Sequence, residues 1–285
     1  MAATGEETRV RPVLRGLSLL FYAASGLVLV AAWQLFVLTD HTDRFFAWTI
    51  GVPLTAAVDG AFYLAGFFLL FPSARARTWA EVQAVSWGVL AVSTLKLAAT
   101  LLHVDLFHFS EGDWTARFAA WGWLVVYLVV PVALATLIVA ELRSPGTDPP
   151  ATAPMSSALR WTGGALGVAL LAIGIGLFAV PGTMAAHWPW PLTDLTSQAL
   201  SAWFAGIGVV AILAVRDGDL LRARHVWTAA IVLAVFQGIA LLRYADTVDW
   251  SSPPAWALVA LFALVGIAGA WGRLAESRPA QAQAS

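Results

Sequence analysis

Eight long apolar runs dominate the sequence and limit the folds that it can adopt. Most are close to the roughly 20 residues that a helix needs to cross about 30 Å of hydrocarbon. Within lipid these runs must be helical, because an isolated strand would leave its backbone polar groups without partners. The sequence therefore predicts an all-α integral membrane protein with eight transmembrane helices. The runs cover residues 14–38, 51–72, 82–103, 119–141, 162–181, 199–215, 226–243 and 255–272.

The composition agrees with this class and excludes others. The chain is 60% hydrophobic and 12% charged, whereas a soluble domain carries about twice that charged fraction. It has no cysteine, which excludes disulfides, thiolate metal ligands and thiol catalysis. A net charge of −1 provides no basic field, so we expect the lipid bilayer as a partner and no nucleic acid. The abundance of arginine and alanine is typical of a GC-rich bacterial genome.

The charged residues between the runs predict the orientation. Of the 16 lysines and arginines, the outer connections hold only Arg44, Arg117 and Arg243, and Lys96 lies within a helix. Most of the remainder lie in the other connections, which the positive-inside rule places in the cytoplasm. The first run is too long for a secretory signal and reads as an uncleaved helix. We therefore expect a multi-pass protein of the bacterial cytoplasmic membrane with both termini in the cytoplasm.

The chain also divides into two halves. Residues 143–160, RSPGTDPPATAPMSSALR, form a cytoplasmic linker rich in Pro, Ser and Thr, which predicts flexibility. It separates a first four-helix repeat, 1–142, from a second, 161–273, followed by a disordered cytoplasmic tail, 274–285. PLTAAVDGAFYLAG at 53–66 aligns with DLTSQALSAWFAG at 194–206. Four helices per unit give both repeats the same orientation, so we predict a 4+4 parallel tandem repeat.

Two segments resemble a known group of proteins. HWPWPLTDLTSQALSAWF at 187–204 and LLHVDLFHF at 101–109 are similar to elements of uncharacterised polytopic bacterial membrane proteins with a WPWPLTxLT-type outer segment. That group has no established activity, so the resemblance implies a polytopic helical fold and no function.

Asp59 and Lys96 are oppositely charged residues within the second and third predicted helices of the first repeat. The second helix enters from outside near residue 53 and the third ends outside near His103. At 1.5 Å per residue, Asp59 and Lys96 both lie roughly 10 Å below the outer edge. An unpaired charge there costs about 2.5–3.5 kcal/mol or more, so pairing is the simplest arrangement. The pair is either a structural ion pair or, with His103, a ligand or proton site, unless the two charges do not meet at all.

The outer connections hold weaker candidates. His103, Asp105 and His108 carry metal-binding side chains, but His103 and His108 lie about 140° apart on a continuous helix. In the second half Asp246 and Asp249 could bind a cation or act as acid and base. Arg243 would either extend to those neighbouring carboxylates or, with His103, flank an anion-accepting outer vestibule. For each of these groups, a solvated loop at the membrane surface is the explanation that the sequence favours.

No recognisable catalytic or cofactor motif is present, so we predict no cofactor. The sequence favours binding or translocation of a small molecule or ion through a polar site in the outer half of the first repeat. The candidate residues are Asp59, Lys96, His103 and Arg243. The alternatives are a membrane-embedded enzyme acting on a lipid or isoprenoid, with Asp59 as the acid, and a structural scaffold. Any of these functions is compatible with a homo-oligomer.

Overall fold

The computed structural model describes residues 10–282 and is helical throughout its long elements, as predicted. Residues 10–282 contain no β-strand, only isolated bridges such as the one between Trp48 and Phe107. Eight helices are long and apolar enough to span a membrane. They are α1 (Arg15–Ala32, continued by a π-helical turn Trp33–Val37), α2 (Pro53–Ser73), α3 (Trp79–Leu102), α4 (Trp114–Arg143), α5 (Ser157–Ala179), α6 (Asp194–Asp217), α7 (Arg224–Arg243) and α8 (Pro253–Ala282).

Helices α6 and α8 are among those that extend beyond the runs that hydropathy marks. The run 199–215 lies within the 24-residue helix α6, because polar residues at its start belong to a capping box formed by Thr193 and Thr196. Gly218 ends α6 in the left-handed conformation, with φ 73°. Helix α8 continues to Ala282, into the segment predicted to be a disordered tail, and residues 283–285 lie outside the described part of the chain.

The helices form a closed ring with two members drawn toward its centre. Each helix packs against its neighbours in the order α1, α2, α7, α8, α5, α6, α3, α4. Helices α2 and α6 are the most buried, with 67% of each spanning window buried. The consecutive helices α2 and α3 share only a small contact, as do α1 and α4, which close the ring. The weak contact between α1 and α4 leaves a gap between these two helices.

Small residues allow the central helices to approach closely. A Cβ atom on Gly174 of α5 would lie 2.5 Å from the backbone nitrogen of Ala205 in α6. Helices α3 and α6 cross at Gly88 and Gly206, where a Cβ on either glycine would lie 2.9 Å from the carbonyl oxygen of the other. Close packing of backbones is the main attraction between helices in lipid, where apolar side chains gain little by leaving the bilayer.

The α1–α2 contact contains a π-helical turn. The N–H of Leu38 donates to the carbonyl of Trp33, which is the spacing of a π-helix, and such turns often mark functional sites. Gly60 of α2 lies directly beneath this turn, since a Cβ there would be 2.6 Å from the backbone nitrogen of Phe36. The residue next to Asp59 therefore has to be small.

The connection between the halves is held at the face where α1 begins and α8 ends, which we call the terminal face. The sequence predicts flexibility for 143–160, but Ala153 and Met155 are buried. The N–H of Met155 donates to Gly218 O and the N–H of Leu220 donates to Ala153 O. This part of the connection therefore packs on the α6–α7 loop.

Candidate ligand-binding site

Asp59 and Lys96 meet in the core, which is the simplest of the arrangements that the sequence leaves open. Lys96 Nζ lies 3.1 Å from Oδ1 and 3.3 Å from Oδ2 of Asp59. The exposed fractions of the two side chains are 0% for Lys96 and 3% for Asp59. Because α2 and α3 scarcely touch, this ion pair is a main link between them.

A third helix completes the arrangement. The indole N–H of Trp203 in α6 donates to Asp59 Oδ1 over 2.7 Å. The ammonium of Lys96 lies 5.2 Å from the ring centre of Tyr63 and 5.4 Å from those of Trp123 and Trp203, within the range of cation–π attraction. The ammonium group is therefore surrounded by the Asp59 carboxylate and three aromatic rings.

The aromatic residues around the ion pair carry a second buried polar group. The hydroxyls of Tyr63 in α2 and Tyr127 in α4 are 2.9 Å apart, and 2% of Tyr63 and 8% of Tyr127 is exposed. Two hydroxyls carry two protons, and the bond between them uses one. Among residues 10–282 neither hydroxyl has another hydrogen-bond partner, so one O–H donor of the pair is unused.

Both tyrosines line a cavity of about 480 Å³ between α1 and α4. Tyr63, Tyr127, Trp123 and Trp203 form its inner wall. Its lining also includes Phe118 on the bundle perimeter, which is 75% exposed. The cavity therefore runs from the core to the lipid-facing surface, at the place where α1 and α4 barely touch.

The cavity is long, apolar and uncharged. It follows α1 from Leu20 to Gln34 and α4 from Val130 to Trp114, a length of roughly 20 Å at 1.5 Å per residue. None of its lining residues is an acid, a base or a histidine. It extends past the middle of the bundle to Leu20, roughly 8 Å from the terminal-face end of α1, and so reaches beyond the outer half, where the sequence places its candidate site. Asp59 and Lys96 lie one layer behind its wall.

His103 is separated from the ion pair. It ends α3, and its Nε2 lies 2.8 Å from Oε1 of Gln198 in α6. Seven residues of helix, or roughly 10 Å, separate it from Lys96. Neither His103 nor Arg243 lines the cavity. The cavity is therefore different from the outer vestibule that the sequence places between these two residues.

Arg243 has partners different from those expected. The sequence suggests Asp246 and Asp249, but the guanidinium donates to the carbonyl of Phe36 over 2.8 Å and lies 3.4 Å from Thr39 Oγ1. Phe36 lies in the π-helical turn that ends the first spanning helix, where backbone carbonyls have no partner within the helix and can accept a hydrogen bond from a side chain. Asp249 accepts hydrogen bonds from Ser251 at the start of α8.

The weak metal candidates do not form a site. His108 bonds through Nδ1 to the carbonyl of Phe46 and through Nε2 to Thr49. Asp105 and Asp246 are exposed. Within residues 10–282 no three His, Asp or Glu side chains are grouped closely enough to hold a metal ion.

The sequence reading missed the aromatic part of the site. Trp203, Tyr127 and Trp123 come from α6 and α4, and nothing local in the sequence indicates that they meet α2. Gln237 of α7 also lies outside the predicted site, and its side-chain amide donates to the carbonyl of Val58 beside Asp59. A buried glutamine in an apolar helix was the available signal.

Comparison of the chain with family models, curated proteins and solved structures finds no match in any of the three.

Proposed function

We propose that the protein binds a membrane-soluble small molecule, which reaches the cavity sideways from the bilayer between α1 and α4. The cavity itself carries this proposal. Its volume of about 480 Å³ lies within the range of roughly 300–1,000 Å³ that ligand pockets occupy. Its mouth lies among lipid-facing side chains, so an apolar molecule can enter without crossing water.

The buried ion pair then has a positioning role. Asp59 and Lys96 do not line the cavity, but they contact Tyr63, Trp123 and Trp203, which do. A paired charge at this depth fixes three helices relative to one another, because any displacement would leave a charge unpaired in a medium of low dielectric constant. The pair thereby holds the inner wall in place.

An internal duplication accounts for the placement of the site in one half. Helix pairs that pack in the first half have counterparts in the second: α1–α2 matches α5–α6, α3–α4 matches α7–α8, and α2–α7 matches α6–α3. This correspondence supports a 4+4 parallel repeat. The counterpart of the α1–α4 gap is more extensively packed, and the counterparts of Asp59 and Lys96 are uncharged. The first half thus provides the binding cavity between α1 and α4, whereas the equivalent helices of the second half, α5 and α8, pack against each other.

Binding is favoured over catalysis and over translocation. A lipid-modifying enzyme that uses Asp59 as its acid would expose that carboxylate in the cavity, but Asp59 does not line the cavity. Translocation of an ion is disfavoured because the cavity has no charged lining residue to stabilise the ion and opens to lipid instead of water. The positive-inside pattern supports a bacterial cytoplasmic membrane location with both termini in the cytoplasm.

Photolabelling tests the proposal. A long-chain alkyl diazirine is added to the protein in lipid nanodiscs, and the labelled peptides are mapped. We expect saturable labelling on the facing surfaces of α1, residues 20–34, and α4, residues 114–130. Labelling that is uniform around the perimeter and does not saturate would show ordinary annular lipid contact instead.

A matched pair of glycine variants sharpens this test. A Cβ at Gly122, which lines the cavity, meets no atom within 4 Å, and the same is true of Gly26, which does not line it. Gly122→Leu should fill the cavity and remove the saturable labelling, whereas Gly26→Leu should leave it unchanged. Equal labelling of both variants would contradict the proposal.

A further inference from the structure

We infer that the ligand carries an uncharged carbonyl group, which accepts a hydrogen bond from the Tyr63–Tyr127 hydroxyl pair near the middle of the membrane. This inference rests on the proposed binding function and names the chemical class of the ligand. It depends on three observations: an unused donor, an uncharged cavity and the depth of the hydroxyls.

The unused donor comes first. Tyr63 and Tyr127 share one hydrogen bond, so whichever hydroxyl acts as acceptor keeps its own proton. A buried hydroxyl proton without an acceptor costs about 1–3 kcal/mol. A ligand oxygen in the cavity would remove that cost, and it would do so whichever tyrosine holds the free proton.

The uncharged lining then limits the ligand. No acidic or basic side chain lines the cavity, and the charge of nearby Lys96 is neutralised by Asp59 over 3.1 Å. A carboxylate or phosphate at the inner wall would have no counter-charge in a medium of low dielectric constant. The oxygen that reaches the hydroxyls therefore belongs to an uncharged group.

Depth separates such a ligand from an ordinary lipid. Tyr63 is ten residues from the start of α2 and Tyr127 is thirteen from the start of α4, or roughly 15 and 20 Å from the face opposite the terminal face. Half the hydrocarbon thickness is about 15 Å. A phospholipid keeps its headgroup at the surface, whereas an uncharged carbonyl on a ring or chain can enter to this depth. A quinone with an apolar tail has this chemistry.

Competition against the alkyl diazirine tests the inference in nanodiscs with the full-length chain. The competitors are decyl-benzoquinone and decylbenzene, which share a ring and a tail and differ in the carbonyl groups. For the unmodified protein we expect the quinone to displace the probe at an about tenfold lower concentration, the effect of one well-placed hydrogen bond in an apolar site.

Tyrosine variants show which group provides that preference. In Tyr63→Phe or Tyr127→Phe the remaining hydroxyl loses its internal partner and keeps a proton for the ligand, so the preference should persist. In the double variant it should disappear, with displacement by decylbenzene unchanged. Unchanged hydrocarbon displacement also shows that the cavity remains folded.

The outcomes separate the two levels of the proposal. Equal displacement by both competitors in the unmodified protein would overturn the carbonyl inference and leave the binding function standing. A preference that survives in the double variant would likewise overturn the role of the hydroxyl pair. Absence of any saturable labelling in the cavity would remove the binding function itself.

Discussion

The indole N–H of Trp203 donates to Oδ1 of Asp59 over 2.7 Å, across 144 positions of sequence. One helix of the second half therefore completes a polar site whose charges both belong to the first half. The same indole lines the lateral cavity. The ion pair and the cavity wall are thus parts of one packed unit.

A double-mutant cycle tests whether the ion pair holds this unit together. Asp59→Asn and Lys96→Met should each lower the free energy of unfolding by about 3–5 kcal/mol, because each leaves the other charge buried and unpaired. Both together should cost less than the sum. The measurement is thermal unfolding in detergent, and full additivity would show that the two charges do not stabilise each other.

The exposed ion pair between Arg44 and Asp113 provides the control for that cycle. Its side chains are 58% and 52% exposed, and such surface pairs contribute less than about 1 kcal/mol. Asp113→Asn should therefore change the unfolding temperature far less than Asp59→Asn does.

Trp203→Phe isolates the hydrogen bond to Asp59. Phenylalanine keeps much of the stacking against Phe62, whose ring is nearly parallel at an interplanar angle of 5°, but it has no N–H. We expect a loss of about 1–3 kcal/mol, since the carboxylate loses a donor in a buried site. Trp256→Phe, which removes an exposed indole bond to Trp250 O, should have little effect; similar losses in both variants would indicate a general effect of losing an indole.

Asp219 secures the connection between the halves and should give a pH-dependent stability. Its carboxylate accepts backbone N–H bonds from Leu221, Arg222, Thr152 and Ala153, at distances of 2.7–3.2 Å. Burial raises the pKa of Asp219, but these four bonds outweigh it and hold the pKa below its usual value.

The sign of the pH effect follows from that lowered pKa. The stabilisation is present above the unfolded pKa of about 4 and is lost as the pH falls through the lower folded value. Asp219→Asn should cost about 1–3 kcal/mol near neutral pH, and the difference in unfolding temperature from the unmodified protein should shrink in acid. A difference independent of pH would show that the charge is not involved.

Gly174→Ala tests the close approach of α5 and α6. The added methyl would lie 2.5 Å from the Ala205 backbone nitrogen, so the helices have to separate, at a cost of about 1–3 kcal/mol. Gly238 in α7 is the matched control, because a Cβ there meets no atom within 4 Å. Gly238→Ala should be neutral or slightly stabilising through helix propensity. If the two variants unfold at the same temperature, the close packing contributes nothing.

The sequence by itself determined the helices and the depth of the charges. Run length and hydropathy are matched to bilayer thickness, so α1–α8 and the similar depth of Asp59 and Lys96 follow from local sequence, and pairing is the simplest way to offset the cost of a charge in lipid. Helix neighbours do not follow in this way. Most of the helix surface is apolar, so a helix face gains little in hydrophobic free energy by leaving lipid for protein, and small differences in close packing select the partners. Only the tertiary structure could therefore bring Trp203 to Asp59, place Tyr127 beside Tyr63, move Arg243 from its own loop to the π-helical turn, and leave the gap between α1 and α4.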